Sequence, residues 1–113
     1  MIIVVVVVAF VAVAGYLISK STGGGGQART IDVTVSGSTM TPGTWTAKQG
    51  DTLTVNVTAD KKEEIHLHGY DIGFEVDGGG GKASHTFKAD KSGDFDVEIE
   101  DTSTPLGKLV VSP

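Results

Sequence analysis

From residue 31 onward, apolar and polar residues alternate along the chain, and this pattern restricts the fold more than any other feature. It is clearest in residues 31–36, 52–58 and 94–100. Because successive side chains of a strand point to opposite faces, such alternation indicates strands with one buried face. No ten-residue stretch after residue 30 has the 3.6-residue period of a helix.

The spacing of these segments predicts the fold class. Seven or eight short strands, separated by turns or by the charged loop predicted for residues 59–64, follow one another at intervals of 8–12 residues. Many short strands at this spacing, rich in Thr and Val, are typical of an antiparallel β-sandwich or barrel. We therefore expect an all-β domain over residues 30–113, which is long enough to bury one modest core.

The N-terminal segment has a different character. Residues 2–18, from Ile2 to Ile18, contain no charged residue. As a helix they would extend roughly 26 Å, near the lower limit for crossing the hydrocarbon core of a bilayer. We expect residues 1–19 to form a single transmembrane α-helix in the lipid bilayer. Residues 20–29, with four consecutive glycines, are predicted to be a flexible linker.

Two alternatives exist for the apolar segment. Residues 12–14, Ala-Val-Ala, resemble the cleavage site of a signal peptide, but no basic residue precedes the apolar run. A helix buried in a protein core is the second alternative. The run of five valines without a polar stripe argues against it. The transmembrane anchor is therefore the interpretation that we adopt.

The composition excludes several kinds of chemistry. The chain has no cysteine, which rules out disulfides, thiolate metal sites and a cysteine nucleophile. After residue 29 it has seven basic and 14 acidic residues, a net charge of −7. Nucleic acid is therefore not an expected partner, since binding to it depends on Lys and Arg contacts with phosphates. No acid/base, nucleophile or phosphate-loop motif is present, and we predict that the protein is not an enzyme.

Two histidines form the most informative local motif. His66 and His68 lie two positions apart on a predicted strand, so both rings point to the same face. Imidazole pairs of this kind can bind Cu(II), Zn or Ni. The alternative is that both are surface residues that hydrogen-bond to loops.

A metal site at this pair would need at least one more ligand. His85 is one candidate, although it shares a strand face with Phe87 and could instead be a partly buried core histidine. A carboxylate is the other candidate, from Glu64, Asp71 or Glu98.

Several short motifs, in this order along the chain, resemble those of cupredoxins. Residues 45–55 (W-x-A-K-Q-G-D-T-L-x-V) are similar to an early strand pair, and residues 87–95 (F-x-A-D-x-x-G-x-F) to the stretch before the copper loop. Residues 106–111 (L-G-x-L-x-V) resemble the closing strand. Residues 64–71 (E-I-H-L-H-G-Y-D) resemble a string in small membrane-anchored cupredoxin-like proteins of bacteria, and H-L-H-G is similar to a copper-binding motif of multicopper oxidases.

The resemblance implies a Greek-key β-sandwich, and its departures exclude a blue-copper centre. Ile99 stands near the position of the copper-ligating Cys, the loop at 101–105 has no His, and Leu106 replaces the usual Met. A type 1 site needs the thiolate, so this scaffold lacks its electron-transfer loop. The metal candidates that remain are His66, His68 and His85, and any copper they bind would not be of type 1.

Two functions fit this pattern. The first is a non-catalytic accessory subunit, anchored by residues 1–19 and associated with other subunits of a larger membrane complex. The resemblance implies that its domain is extracytoplasmic, whereas Lys20 and Arg29 would weakly favour the cytoplasm by the positive-inside rule. The second is a copper-binding module for storage or delivery that uses the His-x-His pair.

Overall fold

The computed structural model describes residues 26–113, which form nine strands and no helix. The all-β prediction for this region is confirmed, with nine strands instead of seven or eight. The strands are β1 (Ala28–Ser36), β2 (Thr39–Thr41), β3 (Thr44–Lys48), β4 (Thr52–Ala59), β5 (Glu63–Leu67), β6 (Ile72–Val76), β7 (Lys82–Lys88), β8 (Gly93–Ile99) and β9 (Thr104–Ser112).

Several boundaries differ from those that the alternation predicts. The short β2 follows a turn at Gly37, whose φ of 60° suits glycine, and pairs with β1. β1 begins at Ala28, two residues before the predicted start of the domain. β5 begins at Glu63, inside the predicted charged loop at 59–64.

The predicted anchor helix at 1–19 lies outside the described residues, as does most of the predicted linker at 20–29. Within residues 26–113 no helix is long and apolar enough to cross a membrane.

The strands form one sheet of four and one of five. The orders are β2-β1-β4-β7 and β3-β9-β8-β5-β6. Most neighbouring strands are antiparallel, but β1 runs parallel to β4 and β3 runs parallel to β9. The sandwich is therefore mixed, although the alternation suggested antiparallel sheets. Alternation sets which side chains are buried and carries no information on strand direction.

The core lies between the inner faces of the two sheets. Its largest fully buried side chains include Trp45 and Phe74, whose rings meet edge to face with centroids 6.3 Å apart. Along β4, Leu53, Val55 and Val57 are fully buried, as the period of two predicts. This inner layer places the polar residues of β5 and β8 on the outer face of the five-stranded sheet.

Asp51 joins the start of the described chain to the sandwich. The residue is 2% exposed, and its carboxylate accepts hydrogen bonds from the backbone N–H groups of Gln27 and Lys48, both at 2.9 Å. It also pairs with Arg29, whose Nε lies 2.6 Å from Asp51 Oδ2. Burial alone would raise the pKa of Asp51, but the hydrogen bonds from Gln27, Lys48 and Arg29 outweigh burial and lower the pKa.

Replacing Asp51 by Asn is expected to lower the free energy of unfolding of the full chain by about 2 to 4 kcal/mol at neutral pH, because it leaves the Arg29 charge and the buried donors poorly paired. Since the pKa of Asp51 is lowered on folding, its contribution is present above the ordinary value of 3.8 and is lost as the pH falls further. Urea denaturation at several pH values measures both effects.

Asp94→Asn is the matched control. It removes the same charge from an exposed pair, in which Asp94 Oδ2 lies 3.4 Å from Lys108 Nζ. The expected loss there is below about 1 kcal/mol, because solvent screens the pair. Equal losses in the two variants would contradict the role assigned to Asp51.

Candidate metal site

His66 lies on β5 and His68 directly follows the end of that strand, both on the outer face of the five-stranded sheet. Ile65 and Leu67 are fully buried and point inward, which turns His66 and His68 outward. Pairing extends beyond the end of β5, because His68 N–H donates to Asp96 O at 2.9 Å. The prediction that the two rings share one face is confirmed, since their centroids are 4.7 Å apart.

Strand register places different neighbours on the two sides of His66. On β6 its partner is Gly73, and on β8 its partner is Glu98. A Cβ atom at Gly73 would collide with the Glu64 carboxylate, so glycine lets that carboxylate lie over the strand. The histidines are thus bordered by a small residue on one side and by the acidic strand β8 on the other.

Carboxylates contact both imidazole rings. His66 Nε2 donates to Asp71 Oδ1 at 3.2 Å, and His68 Nε2 lies 2.9 Å from Glu98 Oε2. His66 Nδ1 lies 3.4 Å from Glu100 Oε1, but this atom is buried and makes no hydrogen bond. With the proton on Nε2, the lone pair of His66 Nδ1 has no partner within the described part of the chain.

His66, His68 and Glu98 together have the arrangement of a metal site. Each offers a ligand atom, and these atoms lie within 4.8 Å of one another. Two imidazoles and a carboxylate form a donor set that suits Cu(II) and Zn. The unpartnered Nδ1 of His66 supports this fit, and Asp71 is placed to orient the His66 ring from its other nitrogen.

The electrostatic surroundings favour positive charge at this site. The hydrogen bond that His68 donates to Glu98 raises the pKa of His68. Desolvation opposes it, and the charges of Glu98, Asp96 and Glu100 raise the pKa further. A proton and a metal ion compete for the same nitrogen, so metal binding here would release a proton when His68 is charged.

His85 lies apart from this group. It is on β7, in the four-stranded sheet, where it pairs with Val55. Its Nε2 donates to Gly73 O at 2.9 Å, and its ring meets the Phe74 ring edge to face at 5.1 Å. These contacts lie at the open edge of the sandwich, and His85 is exposed. The alternative of a partly buried core histidine, which its strand face suggests, is therefore wrong.

Among the three carboxylates proposed from the sequence, only Glu98 joins the group of potential ligands. Asp71 contacts His66, and Glu64 lies over Gly73. Glu100 was not predicted as a neighbour of the pair. Its position two residues after Glu98, on the same strand face, is the signal that could have identified it.

Sequence comparison finds no match, either among protein-family models or among characterised proteins. Structural comparison finds many similar chains. One belongs to a heme-copper terminal oxidase dimer, with a TM-score of 0.67 and 14% identity, over 81% of this chain and 68% of that chain.

Two smaller copper proteins are also similar. An apo copper-binding protein has a TM-score of 0.63 at 18% identity, over 75% of this chain and 88% of its own. The metal-binding domain of CopA, a Cu(I)-exporting P-type ATPase of Streptococcus pneumoniae D39, has a TM-score of 0.66 at 12% identity. The match covers 82% of this chain and 92% of that domain's chain. At such low identity the likeness shows the fold, and residues 26–113 form a cupredoxin-like domain.

Glu98→Gln is expected to lower the pKa of His68, because it removes the charge of the hydrogen-bonding carboxylate that raises this pKa. A pH titration of the imidazole resonances by NMR measures the change. Asp90→Asn removes an equal charge from an exposed position outside the set of carboxylates that act on His68, and should leave the titration unchanged. A His68 pKa that does not respond to Glu98→Gln would contradict the assigned contact.

Proposed function

We propose that this protein is a copper-binding cupredoxin-like module in which His66, His68 and Glu98 bind Cu(II) in a site that is not of type 1. The observation that carries the proposal is the convergence of three potential ligand atoms within 4.8 Å of one another. His66 and Glu98 are register partners on adjacent strands, and the hydrogen bond from His68 N–H to Asp96 O holds His68 beside them. The ligands would therefore be positioned before the metal arrives.

The donor set favours Cu(II) over Cu(I). Cu(I) prefers thiolate and thioether ligands, and the chain has no cysteine. Met40 is the one methionine after residue 25, and it is buried in the core. Imidazole and carboxylate suit Cu(II), which is high in the Irving–Williams order. The similarity to an apo copper-binding protein and to the CopA metal-binding domain supports copper as the metal.

The accessibility of the site fits storage or delivery. The His68 side chain is 48% exposed and that of Glu98 is 22% exposed, so solvent or a partner could reach a bound ion. Three protein ligands leave coordination positions open for water or for an incoming donor. The proposed role is binding without catalysis, which is consistent with the lack of a recognisable nucleophile or acid/base motif in the sequence.

Titration of the full chain with Cu(II) should give an EPR signal with nitrogen hyperfine coupling at one equivalent. The double variant His66→Ala/His68→Ala should lose it, because both imidazole ligands are gone. Glu98→Gln should weaken Cu(II) binding by about 100-fold or more. Removing a residue that only supports a metal ligand already weakens binding by about 10- to 100-fold, and Glu98 is proposed as a ligand itself.

His85→Ala is the matched control for this titration. It removes an imidazole whose contacts are with Gly73 and Phe74, and the EPR spectrum should stay the same. If His85→Ala changes the spectrum and Glu98→Gln does not, the third ligand is assigned wrongly. A spectrum without nitrogen coupling, or one that the double variant retains, would contradict the copper site altogether.

We further propose that the protein is an accessory subunit of a membrane complex, with its domain outside the cytoplasm. The apolar segment of residues 2–18 supports a single transmembrane anchor. The similarity to a chain of a heme-copper terminal oxidase dimer, over 81% of this chain, supports a role in a larger complex. The Asp51 contacts with Gln27 and Arg29 would keep the domain close to the end of such an anchor.

Extraction of native membranes in a mild detergent tests this second role. An accessory subunit should co-purify with other membrane proteins through a tagged version of the full chain. The same preparation after deletion of residues 1–19 should lose these partners, because the proposed contact surface is the anchor. A monodisperse monomer without associated membrane proteins would contradict the proposal.

A further inference from the structure

Glu63, the first residue of β5, places a carboxylate where the fold otherwise has apolar side chains. It alternates with the buried Ile65 and Leu67 on the inward face of the strand and is itself only 6% exposed. Both of its carboxylate oxygens are buried, and neither has a hydrogen-bond partner within the described residues. Its register partner on β6 is the buried Val76, whose side chain has no donor to offer.

An ionised carboxylate is costly in this position. Burying a charge without a partner carries a large penalty, which the group avoids by taking up a proton. In the unfolded chain the same carboxylate is solvated, and its pKa has the ordinary value of 4.5. Burial raises the pKa of Glu63 in the folded domain. Folding therefore favours the protonated form of this side chain.

The charged groups around Glu63 do not compensate its burial. Lys61, before β5, lowers the pKa of Glu63, whereas the charges of Asp60 and of Asp101, after β8, raise it. No basic side chain in residues 26–113 lies within 4 Å of the Glu63 carboxylate. The other charged residues that border the two adjoining surface depressions are Lys62, Glu64, Glu75 and Asp77. Acidic groups thus outnumber basic ones around Glu63.

The backbone beside Glu63 takes part in the pairing of β5 with β8. Glu100 N–H donates to Glu64 O at 2.9 Å, one residue beyond the register pair of Ile65 and Ile99. This hydrogen bond closes the ladder at the end where Glu63 lies. Water can solvate an ionised Glu63 only if the start of β5 leaves its inward position. Such a movement would break the closing hydrogen bond.

We propose that Glu63 is a pH-sensitive switch, which keeps the start of β5 packed while it is neutral and opens this segment to solvent when it ionises. The direction follows from linkage, since the folded state binds more protons than the unfolded state between 4.5 and the raised pKa of Glu63. Stability is therefore lost as the pH rises through this window. Asp51 acts in the opposite sense, because its contribution is lost as the pH falls below 3.8.

Urea denaturation of the metal-free full chain in mild detergent, at several pH values from about 4 to 8, tests the effect on stability. At neutral pH the unfolding equilibrium constant of Glu63→Gln should be about 5- to 100-fold smaller than that of the wild type. This range corresponds to one buried polar group without a partner. The difference should shrink as the pH falls below 4.5, because Glu63 then carries a proton in both states.

Amide hydrogen exchange, followed by NMR on the same samples, locates the opening. At neutral pH the Glu100 amide should be less protected in the wild type than in Glu63→Gln, because opening breaks its hydrogen bond to Glu64 O. Comparison at equal pH cancels the pH dependence of the exchange chemistry itself. Glu63→Met is a second neutral variant, and its apolar side chain fits the alternation of β5. It should raise the Glu100 protection in the same way.

Glu75→Gln is the matched control. It removes one charge from an exposed side chain on β6 that borders the same cleft as Glu63. It should leave both the pH dependence of stability and the Glu100 protection unchanged, since solvent screens an exposed charge.

Three results would overturn the proposal. A ratio of the unfolding constants of wild type and Glu63→Gln that is the same at every pH would mean that folding does not change the protonation of Glu63. Equal gains in Glu63→Gln and Glu75→Gln would mean general relief of charge repulsion. Equal Glu100 protection in the wild type and both neutral variants would mean that the start of β5 does not open. All measurements use metal-free protein and are independent of copper binding at the histidines.

Discussion

The pairing of β5 with β8 is the interaction on which the candidate copper site depends. Backbone register sets His66 opposite Glu98, and the hydrogen bond from His68 N–H to Asp96 O extends the pairing. The buried side chains of Ile65 and Leu67 fix this register, because a slip by one residue would turn them to solvent and the histidines into the core. The same hydrophobic contacts that stabilise the sandwich therefore position the ligands.

A single strand carries ionisable side chains of two different kinds on its two faces. Glu63, which is buried and faces inward, lies three positions before His66, which faces outward beside a second imidazole. At about 3.3 Å per residue this separation is roughly 10 Å along the strand.

Much of the fold follows from the sequence, and much of the site does not. Alternation identified β4 and the outward face of β5 correctly, because burial in a sandwich repeats every two residues. It could not show that β1 is parallel to β4, or that Glu98 and not His85 approaches the histidine pair, since both depend on pairing between distant segments. The alternation places Glu63 in a charged loop, because a buried carboxylate violates the pattern on which the prediction depends.

The attachment of β1 also has a mechanical consequence. β1 and β4 run parallel over eight residue pairs, from Ala28 opposite Thr52 to Val35 opposite Ala59. A force that pulls on the N-terminal segment along the axis of β1 loads this whole ladder in shear, so its hydrogen bonds must fail together instead of opening one by one. The Asp51 ion pair with Arg29 adds a bond at the end of the ladder where the force enters. A pull along this axis would therefore have to break the ladder and the ion pair together.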